Sequence, residues 1–242
     1  MSLAVVVAIC LVATLVRSTF GFGESLVAVP LLALVVPLSV AVPLSVMLSV
    51  LVAVIAMVQD REHVHISSAA WLIGSALVGI PLGLGVLVYA NTYATRLVLG
   101  ALIIAYGAYS LAARPRKHLA HDSRAWLLAC GFLSGVLGGA YGLNGPPLVV
   151  YGNLRQWTPQ HFRATLQAYF LPASLVGLAG YAARGLVDAT VLRTFAACLP
   201  ATVPAVFVGR WLNRRFAAAS FFRYVFAGLI AIGATLVAVT LT

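Results

Sequence analysis

The chain has 242 residues, of which 62% are hydrophobic and 8% charged, with a formal charge of +10. An average globular domain is about a quarter charged, so this composition excludes a soluble protein, which could not cover its own surface with polar groups. The basic residues sit in short loops between apolar runs rather than on one patch with interleaved aromatics, which excludes a nucleic-acid binder and fits the orientation signal of a membrane protein.

Taken in order, the first uncharged run is Met1 to Val16. It has the length of a signal-peptide core, but no basic stretch precedes it, Arg17 follows it, and no A-x-A site stands where cleavage requires one; it reads as a retained first helix. The run from Ser25 to Gln59 is 35 residues long. As one helix it would extend about 52 Å at 1.5 Å per residue, against a bilayer core of about 30 Å. It must fold back, and Pro30, Pro37 and Pro43 supply the breakpoints, because proline removes a helix donor and clashes with the preceding turn. The runs 66–95 and 97–113 follow. A polar stretch at 114–124, beginning Arg114-Pro115-Arg116-Lys117-His118, divides the chain into a first membrane repeat at 1–113 and a second at 125–242. The run 125–154 is again too long for one crossing. It breaks at Gly138-Gly139-Ala140-Tyr141-Gly142-Leu143-Asn144-Gly145-Pro146-Pro147, which is no regular helix. Runs at 164–183, 194–209 and 224–242 complete the count.

The expected fold is therefore an all-α polytopic membrane protein of about 8–10 hydrophobic segments in two inverted repeats, with helices broken by glycine and proline. Internal repetition supports it. Gly21-Phe22-Gly23 with Pro30 resembles Tyr141-Gly142 with Pro146 and Pro147, and an offset of 123 pairs Ala41 with Ala164, Arg61 with Arg184, Val64 with Val187 and Pro81 with Pro204. Five segments per repeat make the halves antiparallel across the membrane, the plan of many transporters. Charge tests this independently. With 114–124 placed in the cytoplasm, Arg61, Arg114, Arg116, Lys117, Arg124, Arg155, Arg163, Arg210, Arg214, Arg215 and Arg223 fall inside, and Arg96, Arg184 and Arg193 outside. That bias follows the positive-inside rule and puts both termini outside.

Irregular backbone survives in hydrocarbon only where protein or a watery cavity surrounds it, and broken helices turn amide-bearing, positive ends toward an anion. The alternative is close helix packing through small residues. The two breaks nominate Arg17, Gly21, Phe22, Gly23, Tyr141, Gly142, Asn144, Gly145, Pro146 and Gln167 for substrate binding, with Tyr169 nearby. Arg17 would attract an anion and Glu24, seven residues on, would take a proton coupled to transport. The competing role is a mutual ion pair, or an Arg17 reaching back to the interface. For Gln167 the competing role is an interhelical hydrogen bond.

Several features carry no chemistry. Arg61-Glu62-His63-Val64-His65 is not H-E-x-x-H and reads as a solvated turn. Cys10, Cys130 and Cys198 lack metal spacing and read as buried thiols. Trp71, Trp126, Trp157 and Trp211 stand near run ends, where interfacial aromatics collect. No nucleotide-binding motif appears, so energy must come from a proton or substrate gradient. No cofactor or metal is implied, and no nucleophile and base pair up for an enzyme.

The pieces Gly21-Phe22-Gly23 with Pro30, and Gly135-Val136-Leu137-Gly138-Gly139 running to Pro146-Pro147, resemble the paired glycine-rich motifs of the sulfite exporter TauE/SafE family. Ala41, Ala164, Pro81 and Pro204 fit that plan across essentially the whole chain. Glu24 departs from it, where the family more often has a small residue, and Asn144 interrupts the second motif. The resemblance implies a prokaryotic inner-membrane transporter of small sulfur-containing anions such as sulfite, thiosulfate or organosulfonates. A carboxylate transporter and a membrane accessory subunit are the alternatives; the near absence of carboxylates at membrane depth argues against a metal-cation carrier.

Overall fold

The computed structural model describes residues 2–59, 66–112, 124–155, 159–215 and 218–242. The 61–65 motif, residues 114–123 of the linker and Trp157 lie outside the described residues; Arg124, the last linker residue, opens a helix.

Among the described residues the structure is all helical. The first half holds α1 (Leu3–Phe20), α2 (Glu24–Ala33), α3 (Leu38–Gln59), α4 (Ile66–Tyr89) and α5 (Thr92–Ala112). The second holds α6 (Arg124–Tyr141), α7 (Gly145–Leu154), α8 (Pro159–Ala183), α9 (Ala189–Arg215) and α10 (Ala218–Leu241). Six of them, α1, α3, α4, α5, α8 and α9, are long and apolar enough to cross a membrane. The chain is a multi-pass membrane protein. Its outer face carries Val78, Leu82, Phe207, Trp71, Trp126 and Trp211, all exposed to the surroundings of the helix bundle, as a lipid-facing surface requires.

The two glycine-rich segments break their helices as the sequence suggests. The α1 helix ends at Gly21 (φ 84°), α2 starts behind Gly23 (φ 95°), and α6 ends at Gly142 (φ 68°). All three φ values lie in the left-handed region, where any other residue would be strained by about 1–2 kcal/mol. The halves match here residue for residue: α1 and α6 are both 18 residues, α2 and α7 both 10. At 1.5 Å per residue, α2 and α7 reach about 15 Å, half the bilayer core. Neither is long enough to cross that core alone.

Packing relates the halves further. The α1 helix packs on α9, and its counterpart α6 packs on α4; α3 packs on α8, and α5 on α10; α3 also meets α9, and α8 meets α4. Renumbering α1–α5 as α6–α10, and conversely, leaves these six pairs unchanged, whereas α2 also packs on α10 and α5, and α7 has no comparable contact with α5 or α10 among the described residues. The α4–α6 crossing is the closest. Gly131, Gly135 and Gly139 stand four apart on one face of α6, and a Cβ on any of them would strike the α4 backbone or Ser75. Gly79 and Gly83 of α4 are equally tight against α6. This is small-residue packing of the kind that lets membrane helices touch, so part of the second glycine-rich segment serves helix contact and part serves the break.

Candidate functional site

Both breaks open on one cavity. Gly23, Glu24, Ser25 and Leu26 line it from the first half, and Gly142, Leu143, Asn144 and Gly145 from the second. Arg17 of α1, Ser49 of α3 and Phe170 and Ser174 of α8 complete the wall. The cavity volume is about 20 Å³, and a single water needs roughly 10–15 Å³ by that measure. The cavity thus has room for about one water. Its two sides are in near contact, since a Cβ on Gly142 would lie 3.5 Å from Ser25 Oγ and 3.0 Å from Val46.

The first side carries charge. Arg17 is placed by the last turn of α1, one turn before Gly21, and Glu24 by the first residue of α2. The intervening turn brings Arg17 Nη1 to 3.0 Å from Glu24 Oε2, with both side chains almost fully buried. Ser49 closes a triangle: Arg17 Nη1 donates to its Oγ at 2.8 Å, and its hydroxyl donates to Glu24 Oε2 at 3.0 Å. The guanidinium also lies over the Phe170 ring, 5.2 Å from the centroid. Next to the triangle, the Ser45 hydroxyl donates to Ser25 Oγ at 3.1 Å. Of the two competing roles weighed for Arg17, the ion pair is the one realised here, with the guanidinium buried inside the helix bundle.

The second side is neutral. Asn144 lies at the N-cap of α7, its carbonyl held by the Ser134 hydroxyl at 2.5 Å and its Oδ1 buried without a hydrogen-bond partner. That Oδ1 occupies the space where a side chain on Gly138 would be. Tyr181 of α8 caps the end of α6, its hydroxyl 2.8 Å and 3.0 Å from the Gly138 and Gly139 carbonyls. The two helix starts differ as donors. The α2 helix begins with Glu24, Ser25 and Leu26, which each carry a backbone N–H and line the cavity, whereas Pro146 and Pro147 at the start of α7 have no N–H to offer. The second break therefore has fewer amides for an anion than its sequence suggests.

Of the residues nominated from sequence, Arg17, Gly23, Glu24, Gly142, Asn144 and Gly145 are brought together on the cavity wall. The others hold the frame around it. Gly21 accepts a hydrogen bond from Gln167 Nε2 at 3.2 Å, the interhelical role weighed for that glutamine. Phe22 stacks edge-on against Phe162, Tyr141 donates to the Thr95 carbonyl at 3.1 Å, and Pro146 is buried in the first turn of α7. Ser25, Ser49, Phe170 and Ser174 were not nominated. Ser45 and Ser49 are four apart on one face of α3, a polar stripe in an apolar helix that marks the side turned to the break.

Comparison with known proteins bears on this geometry. The family model for "Sulfite exporter TauE/SafE" matches residues 6–236. The chain belongs to the sulfite exporter TauE/SafE family. It is 30% identical over 178 residues to a probable sulfite/organosulfonate exporter TauE of Cupriavidus necator, a match covering 72% of this chain and 69% of the relative. No solved structure matches it significantly. Membership of the TauE/SafE family makes the chain a membrane transporter and not an enzyme, with a small anion as the class of solute. Both breaks lie within the matched range, and the Arg17–Glu24 pair with them.

Proposed function

We propose that this protein is a secondary transporter that moves sulfite, thiosulfate or an organosulfonate across the cytoplasmic membrane of a prokaryote by alternating access. The observation that carries this is the meeting of both broken helices at one buried cavity that holds a single arginine. Arg17 supplies the attraction, and the start of α2 and Asn144 supply neutral donors. Neutral donors suit a carrier, because the site must release what it binds.

The exchangeable set of helix contacts supports two repeats related by a two-fold, and five helices per half with positive-inside charge supports their inversion. Because α2 and α7 are too short to cross, we read α1–α2 and α6–α7 as hairpins entering from opposite faces, their tips meeting at the cavity. Both chain ends are then outside. Impermeant thiol labelling of Ser2→Cys and Val35→Cys should report the same face; opposite faces would exclude the hairpin.

The test of function is flux of radiolabelled sulfite, thiosulfate and methanesulfonate into proteoliposomes, beside a carboxylate such as acetate. Saturable flux of a sulfur anion that disappears in Gly142→Leu supports the reading. Preference for the carboxylate, or no flux with correctly inserted protein, contradicts it.

A further inference from the structure

The Arg17–Glu24 pair is incompletely made. A dedicated arginine–carboxylate pair is commonly bidentate, with two parallel N–H···O bonds. Here one nitrogen meets one oxygen, and Arg17 Nε, Arg17 Nη2 and Glu24 Oε1 are buried without hydrogen-bond partners. Both residues line the cavity, so the incompletely bonded pair borders the space a solute would occupy. The pair is also not needed to build a break. Matching α1 to α6 and α2 to α7 at their equal lengths puts Gly138 opposite Arg17 and Gly145 opposite Glu24. The second half makes the same turn with neither charge.

Charge counting then constrains what can bind. With Arg17 charged and Glu24 ionised the empty cavity is neutral. A monovalent anion entering alone would leave a net charge of minus one in a desolvated membrane site, which is strongly unfavourable. An anion entering with one proton leaves it neutral. Resting on the transport reading above, we propose that Glu24 is a tethered internal anion that holds Arg17 in the empty carrier, and that a substrate anion takes Arg17 only when a proton is placed on Glu24. The proton goes to a Glu24 carboxylate oxygen, the Arg17–Glu24 ion pair separates, and the substrate's oxygens accept from the guanidinium; no covalent bond of the substrate changes. One proton therefore travels with each monovalent anion, and no net charge moves. Among the described residues, Arg17 is the charged group acting on Glu24, Ser49 is its hydroxyl partner, and the Cys10 thiol of α1 lies within reach of its field, itself facing Cys198 of α9. From α8, the neutral Phe170 faces Arg17.

The probe is radiolabelled methanesulfonate, a strong-acid anion whose own charge does not change with pH, on the full-length protein in proteoliposomes. Two quantities are read: accumulation driven by an imposed pH gradient, and anion exchange at equal pH. The wild type should show both. Glu24→Gln should lose gradient-driven accumulation by about tenfold or more while keeping measurable exchange whose apparent affinity no longer varies with pH. Glu24→Asp, which keeps the charge on a shorter arm, should retain coupling and bind the probe several-fold more tightly, because the internal competitor reaches Arg17 less well. Gradient-driven accumulation surviving in Glu24→Gln, or weaker binding in Glu24→Asp, overturns the proposal. So does saturable wild-type flux with no dependence on pH, which leaves the transport reading standing. Absence of wild-type flux for every sulfur anion overturns both.

Discussion

The two breaks share a backbone plan and differ in chemistry. Each ends an 18-residue helix at a left-handed glycine and starts a 10-residue helix three residues later. The first then places a buried arginine and glutamate on the cavity, and the second places glycines at the matching positions and fills the gap with Asn144. A repeated fold thus presents an unrepeated site. The lesson is that geometry alone explains the turn, since the uncharged half makes it equally well, and the charges need a functional explanation.

The comparison breaks most visibly at Arg17. Arg17→Ala leaves Glu24 buried without its counter-charge and should cost about 3–5 kcal/mol of stability, read as a lower thermal unfolding temperature in detergent. Arg17→Met combined with Glu24→Gln should recover much of that stability and still fail to transport. Recovery of transport in the double variant would show that the charged side is dispensable. Next in size, Gly142→Leu adds about 1–2 kcal/mol of left-handed strain and drives a side chain toward Val46 and Ser25. Flux should fall to background while the protein still inserts and elutes as a single species.

Asn144→Ala sharpens the neutral side. Losing one uncharged donor or acceptor is worth about 1 kcal/mol, so affinity for sulfite should drop about fivefold, measured by calorimetry. The smallest effect belongs to Tyr181→Phe, outside the cavity wall. It removes a hydroxyl from the Gly138 and Gly139 carbonyls and should lower stability by about 0.6–1 kcal/mol. Flux should stay within about twofold of wild type on that scale.

Much of the fold is legible in the chain, because hydrocarbon enforces long apolar runs and tolerates breaks only at glycine and proline. The run from Ser25 to Gln59 had to fold back, and it does so at 34–37, beside Pro37, whereas Pro30 and Pro43, also named as breakpoints, lie inside α2 and α3 and interrupt neither. The repeat is legible in outline, but its register is not constant. An offset of 123 suits α4 and α9, whereas α1–α3 and α6–α8 start at an offset of 121, because α8 is three residues longer than α3 and one residue fewer separates it from the next helix. The site is legible where residues are unusual for their surroundings: Arg17, Glu24 and Asn144 in apolar stretches. Ser49 is invisible at that level, since a serine in a membrane helix is ordinary and its contact with Arg17 spans 32 residues. Gln167 and Tyr141 look equally polar in sequence, yet tertiary packing spends both on backbone carbonyls.

The central claim is that one anion is held by both breaks at once. Calorimetric binding of sulfite to the wild type, Ser25→Ala, Asn144→Ala and the double variant tests it most directly, because these two side chains face the same cavity from opposite halves and neither alters its charge. The account predicts non-additive losses with a coupling of at least about 0.5 kcal/mol. Losses that simply add, or a Ser25→Ala variant that binds sulfite as the wild type does, would contradict a site shared between the two halves.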